Sequence, residues 1–255
     1  MKRQVDADKR QAAELLAQEA GKFEIELSET QISKLLAFGE LVMEGNKRLN
    51  LTGKLDWPTY LYKHVLDSLS VLPYVEVAGK VLDVGTGAGF PGVPLAIARP
   101  DLHVTLLDSL RKRIEFLENA CSELDLPVEL VWSRAEDFGR SQGREQYQLV
   151  TSRAVAKLPV LLELCLPHVA PGGLFAAYKG PDVEEEMAEA GYALEELGGE
   201  LVQMPKIQLP QGYGTRHLLL IKKVRPTPQG YPRRAGLPEK KPLLGRNPER
   251  KREHI

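Results

Sequence analysis

The sequence predicts a doubly wound α/β fold, with a mostly parallel sheet and an antiparallel last strand, preceded by a helical extension and followed by a basic tail. Three observations predict it. Short apolar runs alternate with helical stretches from Lys80 onward, the first run ends in a glycine-rich turn, and the last run is entered through a hairpin pattern. Strands of this kind need helices on both sheet faces.

In chain order, residues 6–20 carry Ala12, Leu15, Leu16 and Ala20 at helical spacing. Residues 29–45 repeat the pattern through Ile32, Leu35, Leu36, Leu41 and Val42, with Ser28 as N-cap. A turn-like stretch from Asn46 to Pro58 leads into a helix over Thr59 to Leu72, which Pro73 ends. Strand candidates follow at 80–85, 103–108, 128–132, 147–152, 174–179 and 217–223. Helical segments fall near 91–98, 111–124, 134–140, 157–168 and 183–197, and Pro171-Gly172-Gly173 reads as a turn before the fifth strand. The stretch KIQLPQGYGTR reads as strand, glycine-rich turn, strand, which inserts an antiparallel strand into the sheet. The expected units are a helical extension (1–75), a ligand-binding domain (76–224) and a tail (225–255).

Composition narrows the function classes. With 255 residues, 43% hydrophobic and 27% charged, wholesale disorder, collagen-like and coiled-coil architectures are excluded. The formal net charge of -1 argues at first against a nucleic-acid binder. That average conceals two halves. Residues 225–255 hold nine Lys and Arg against three Glu, a net +6, with six of the 18 prolines. Residues 1–224 keep 25 basic and 32 acidic residues, a net -7. The tail therefore reads as flexible or surface-draped. Cys121 and Cys165 lack metal-ligand spacing and read as buried free thiols, so no metal is expected. The N-terminus has no apolar signal region and no run nears the ~20 residues of a membrane span. A cytoplasmic monomer is expected.

The stretch VLDVGTGAGFPGVPL concentrates the chemistry. A buried strand, Val81 to Val84, carries Asp83 and runs into Gly85, Gly87 and Gly89, and Pro91 opens a helix. A ligand would sit at the carboxyl ends of the strands. Residues 87–92 match G-x-G-x-x-G, a weak dinucleotide signal. Asp83 favours a different ligand, because a carboxylate there would repel a pyrophosphate. S-adenosylmethionine (SAM), with an ammonium, a sulfonium and no phosphate, suits it. Asp108, ending the second strand, would accept from ribose hydroxyls in either case. Ala135 and Glu136, just past the third strand, would offer adenine a backbone amide and a carboxylate. As an alternative, Glu136 is a helix-start acid facing the dipole.

Further along, the chain resembles the RsmG (GidB) family of bacterial 16S ribosomal RNA methyltransferases. The stretches that carry the resemblance are NLTG (50–53), KHVLDSL (63–69), VLDVGTGAGFPGVPLAIARP (81–100), LLDSLRKR (106–113), SRAEDF (133–138), TSRAVAKL (151–158), YKGP (178–181) and GTRHLLLIKK (214–223). They span about residues 46–224, and YPRRAGLPEKKPL is similar to the end of longer members. The resemblance implies a Rossmann-like class I methyltransferase sheet, SAM as cofactor, and methylation of N7 of one guanosine in the decoding-region loop of 16S rRNA, free or within the small ribosomal subunit. It also implies cofactor contacts from Gly85, Phe90, Asp108, Ser109, Leu110, Ala135, Glu136 and Arg153.

N7 of guanine carries a lone pair and no proton, so no general base is nominated; the task is alignment, with Arg153 as the residue that could assist. In A-form RNA that edge faces a groove side chains cannot enter, so the base must be looped or splayed out. Candidate RNA contacts are His64, Lys179, Arg216, His217, Arg233 and Arg234. His64, Asp67 and Ser68 share a helix face, which reads either as a polar flank with Lys63–Asp67 as an i, i+4 pair or as a lid or wall of the cleft supplied by the N-terminal helices. The competing functions are a methyltransferase for a small molecule or protein, a nucleotide-dependent oxidoreductase, and a non-catalytic ribosome-assembly factor. A phosphate-binding tail would make RNA affinity salt-dependent. Deleting 225–255 is expected to flatten that dependence and to leave SAM affinity unchanged.

Overall fold

The computed structural model describes residues 2–76 and 78–245. Helix α1 (Lys2–Lys22) and helix α2 (Glu29–Leu49) open the chain. Ser28 begins α2 with a reciprocal cap: its hydroxyl accepts from the Gln31 amide at 3.3 Å, and the Gln31 side chain accepts from the Ser28 amide at 2.8 Å. Asn50 ends the helix in the left-handed conformation, φ 49°.

The helix expected over 59–72 forms, but not as one regular element. A short α3 (Trp57–Thr59), capped by Asp56, widens into a π-helical stretch (Tyr60–Leu66) and closes as α4 (Asp67–Leu69). Such wide turns are rare and are frequently found at functional sites. Pro73 lies in the 3-10 turn Leu72–Tyr74 that follows.

The alternating half forms β1 (Lys80–Val84), α5 (Gly92–Ala98), β2 (His103–Asp108), α6 (Arg111–Glu123), β3 (Glu129–Trp132), α7 (Ala135–Gly139), β4 (Tyr147–Arg153), α8 (Leu158–Cys165), β5 (Val169–Lys179) and α9 (Val183–Leu197). Then come β6 (Gly199–Gln203), β7 (Lys206–Gln208), β8 (Thr215–Lys223) and α10 (Leu237–Lys240). The sheet order is β3-β2-β1-β4-β5-β8-β6, with β7 also on β8. The five strands β1 to β5 run parallel, and β8 is antiparallel to β5, as the hairpin pattern predicted.

Two details depart from the sequence reading. Pro171, Gly172 and Gly173 lie inside β5, opposite a register break between Tyr147 and Leu149. A Cβ on Gly173 would meet the Gln148 and Ala170 carbonyls at 2.9 Å, so glycine admits the close strand approach there. Strand β6 was not foreseen; as an outer strand it is mostly solvent-facing and shows no apolar alternation.

Two hydrophobic layers sandwich the sheet. One joins it to α1, α2, the π-helical stretch, α5 and α6, with Phe38, Tyr60 and Leu106 fully buried. The other joins it to α7, α8 and α9, and takes in Tyr231 and Leu243 from beyond residue 224. Both cysteines are free and buried. Among the described residues no helix is long and apolar enough to cross a membrane.

Candidate functional site

Strand order reverses at β1, which has β2 on one side and β4 on the other. Beyond the carboxyl ends of these strands a crevice is expected, and a cavity of about 300 Å³ opens there. Val84 and Gly85 line it from β1, Leu107, Asp108 and Ser109 from β2, and Ser133 to Glu136 from the β3–α7 junction. Residues Ala154, Val155 and Ala156, just past β4, form the opposite wall.

The glycine-rich loop is closed on itself. The amides of Gly85 and Thr86 donate to the Leu107 carbonyl at 2.8 and 3.0 Å, and those of Gly89 and Phe90 to the Thr86 carbonyl at 2.9 and 3.0 Å. The Gly87 amide donates to Asp108 Oδ2, and the Gly92 amide to Asp83 Oδ2, each at 2.9 Å. A phosphate would need such amides pointing outward. This loop spends them internally and therefore suits a phosphate-free ligand. Gly85 is required for another reason: it sits at φ 71°, and a Cβ would lie 2.5 Å from Val155 Cγ2.

Asp83 does not reach the cavity. It is fully buried beneath the loop, accepting from Gly92 and from the Thr151 hydroxyl at 3.0 Å. Burial raises its pKa to about 6. Its role here is to hold the loop to the start of α5. Asp108 does reach the cavity, and its Oδ1 also accepts from the Leu110 amide at 2.8 Å.

A second cavity, about 550 Å³, adjoins the first across the same residues 154–156. Its centre is a charged cluster. Arg153 Nη1 donates to Asp67 Oδ2 at 2.9 Å and to the Lys63 carbonyl at 3.1 Å. Arg216 Nε lies 3.5 Å from Asp67 Oδ1, an oxygen with no hydrogen-bond partner. Arg153 Nη2 also meets His64 Nδ1 at 3.1 Å. Since a guanidinium only donates, that nitrogen accepts and the His64 proton sits on Nε2. Burial and then the Arg153 charge lower the His64 pKa to about 3, which keeps the ring neutral. Asp67 pairs with these two arginines rather than with Lys63, the i, i+4 alternative, and Lys63 and Lys157 stand exposed on the rim.

Of the ten expected cofactor residues, Gly85, Asp108, Ser109, Ala135 and Glu136 line the first cavity. Asp83, Gly87, Phe90, Leu110 and Arg153 do not. The Phe90 ring is buried against Phe38, Tyr60 and His64, with the Arg153 guanidinium 5.3 Å from its centre. Leu110 is half exposed on the outer surface, and Gly87 acts through its amide on Asp108.

Of the expected RNA residues, His64, Lys179 and Arg216 line the second cavity. The Lys179 ammonium is engaged by Glu186 at 2.6 Å and the Ala156 carbonyl at 2.8 Å. His217 meets the Gly180 carbonyl at 3.1 Å, Arg233 is ion-paired with Glu163 at 2.5 Å, and Arg234 is exposed. Arg246, Arg250, Lys251 and Arg252 of the basic tail lie outside the described residues. Residues 154–156 were not expected at the cofactor site, nor were Gly236, Pro238 and Glu239, which also line the first cavity. The available signals were the SRA stretch, which places 154 just after a strand end, and YPRRAGLPEKKPL, which contains Gly236, Pro238 and Glu239. No group of His, Cys, Asp and Glu that could hold a metal occurs among the described residues.

Comparison with known proteins bears on this geometry. Residues 31–219 match the family described as rRNA small subunit methyltransferase G. Proteins named ribosomal RNA small subunit methyltransferase G are similar along most of the chain. The one from Alkaliphilus oremlandii is 47% identical over 234 residues, covering 90% of this chain and 98% of its own. Those from Symbiobacterium thermophilum and Staphylococcus aureus are 49% and 44% identical, covering 83% and 91% of this chain and 90% and 98% of theirs. A solved methyltransferase from Pyrococcus furiosus has a TM-score of 0.52 at 19% identity, covering 73% of this chain and 96% of its own, a likeness of fold.

Proposed function

From the premise that the chain belongs to the rRNA small subunit methyltransferase G family, we propose that it transfers a methyl group from SAM to N7 of a guanosine in 16S rRNA. The observation that carries this reading is the pairing of two cavities at one wall: a crevice whose glycine loop keeps its amides, and a cationic cleft, meeting at Ala154 to Ala156. The first cavity fits SAM. Asp108 stands where ribose hydroxyls need an acceptor, Glu136 stands at the far end for adenine, and Gly85, without a Cβ, lets the loop lie against Val155 along the cavity wall.

The bound cofactor supplies an electrophilic methyl on a sulfonium. The chain supplies position and charge. Arg153, Arg216, Lys63 and Lys157 surround the second cavity and suit the phosphates flanking a splayed nucleotide. No residue need take a proton, because N7 has none to lose. The neutral His64 and the doubly paired Asp67 are consistent with that: they orient Arg153 and Arg216 and leave no strong base at the wall. The substrate class makes the cytoplasm the working compartment.

Methylation of naked 16S rRNA and of small ribosomal subunits with labelled SAM, followed by mapping of the modified base, tests the reading. Label at a single guanosine N7 is the expected result. Label on protein or metabolites alone, or on another atom of the base, would overturn it.

A further inference from the structure

The segment read as a flexible or surface-draped tail is anchored at its start. The Arg144 guanidinium holds three of its carbonyls, Tyr231 and Thr227 at 2.6 Å and Pro228 at 3.3 Å. Arg233 then meets Glu163, a fully buried carboxylate on α8, through its side chain at 2.5 and 2.8 Å and through its own amide at 2.8 Å. Between these anchors Pro232 packs on Gly139 at the end of α7, where a Cβ would come within 3.1 Å of its ring. Past them, the Gly236 amide donates to Glu136 Oε1 at 2.8 Å, and Gly236, Pro238 and Glu239 form one wall of the first cavity.

We infer that residues 227–241 are a strap belonging to the cofactor site, and that Arg233 is a positioning residue for SAM binding. Arg233 acts through Gly236 on Glu136. Glu136 is the carboxylate at the adenine end, and one of its oxygens is fixed by the strap rather than by its own helix. Lifting the strap would strip Glu163 of its one charged partner among the described residues in a dry environment, a costly event that favours the closed position. The strap therefore sets both the orientation of Glu136 and the enclosure of that end. This is the opposite of the expectation that removing 225–255 leaves SAM affinity unchanged. The inference rests on the reading that the first cavity holds SAM.

Its test uses the full chain. Glu163→Gln combined with Arg233→Gln removes the ion pair without stranding a buried charge. Calorimetry with SAM should show binding at least tenfold weaker than in the parent, with little change in the ligand-free unfolding midpoint. Hydrogen exchange on the unmodified protein gives a second, independent readout: SAM should slow exchange across 229–240. Glu136→Gln, which keeps an acceptor for Gly236, should retain more affinity than Glu136→Ala. The inference fails if the double variant binds SAM within twofold of the parent, or if SAM leaves exchange of the strap unaltered. A parent that binds no SAM would sink the cofactor reading itself, so the two failures are distinguishable.

Discussion

Arg153 and Asp67 lie 86 residues apart in sequence and 2.9 Å apart in space, and their ion pair joins the N-terminal helices to the end of β4. Both are largely shielded, with side chains 15% and 2% exposed. The pair holds one wall of the second cavity in place. Asp67→Asn should therefore leave Arg153 and Arg216 facing each other with weakened compensation. Breaking a buried pair of this kind costs about 3–5 kcal/mol. Methylation of 16S rRNA should fall at least tenfold while SAM affinity holds within a few-fold, because Asp67 does not touch the first cavity. Arg153→Lys should lose nearly as much, since one ammonium cannot serve Asp67, Lys63 and His64 together. Equal losses of SAM affinity and methylation in Asp67→Asn would refute this division of labour.

Gly85 provides a steric test of the first cavity. Alanine there must adopt φ 71° and bring its methyl 2.5 Å from Val155 Cγ2. The backbone cost is about 1–2 kcal/mol. SAM affinity of Gly85→Ala should drop at least tenfold. Pairing it with Val155→Ala removes the clash and leaves the backbone cost, so partial recovery is expected. Full recovery would show that φ was immaterial, and no recovery would show that the Val155 contact was.

Asp83 predicts a pH dependence of stability. Its carboxyl is shifted from 3.8 to about 6 by burial, ahead of the hydrogen bonds that oppose the shift. A carboxyl that holds its proton more tightly folded than unfolded adds stability that is complete below about 3.8 and is lost as pH rises through about 6. The gap corresponds to about 3 kcal/mol as an order of magnitude. Asp83→Asn abolishes the titration. Parent stability minus variant stability, from urea unfolding, should therefore grow as pH falls from 8 to 4. Parallel pH profiles would rule the effect out.

The sheet and its crevice were legible because they follow from local patterns. Strand β1 announces itself by Val81 to Val84 running into glycines, and Asp108 by closing an apolar run. What was not legible depends on contacts between distant residues. Asp83 reads as a ligand-facing acid from spacing alone; only the approach of Thr151 and Gly92 shows that its oxygens are used inside the protein. Asp67 reads either as an i, i+4 partner of Lys63 or as part of a cleft wall; which arginines it meets, one from β4 and one from β8, is settled only by contacts between distant residues. The tail reads as flexible or surface-draped because its composition is basic and proline-rich. Its anchors, Arg144 and Glu163, lie far upstream in the sequence and show nothing unusual there. Composition reports how many charges a segment has, and partners decide which of them remain free.

That distinction leads to a prediction about salt. Arg233 is neutralised by a buried carboxylate, whereas Lys63 and Lys157 are exposed on the rim of the second cavity. If these two lysines neutralise RNA phosphates, each releases counterions on binding. The slope of log affinity against log salt should then shrink by about 0.7–0.9 per lysine removed. Lys63→Ala and Lys157→Ala should each flatten the slope by that amount, lower rRNA affinity at low salt, and leave SAM binding unchanged. The double variant should show the sum, because the lysines sit on separate elements and share no partner among the described residues. Filter binding of 16S rRNA from 50 to 300 mM salt measures it. A slope that stays at the parental value in both single variants would mean that the phosphates are met elsewhere, and the rim would lose its assigned role.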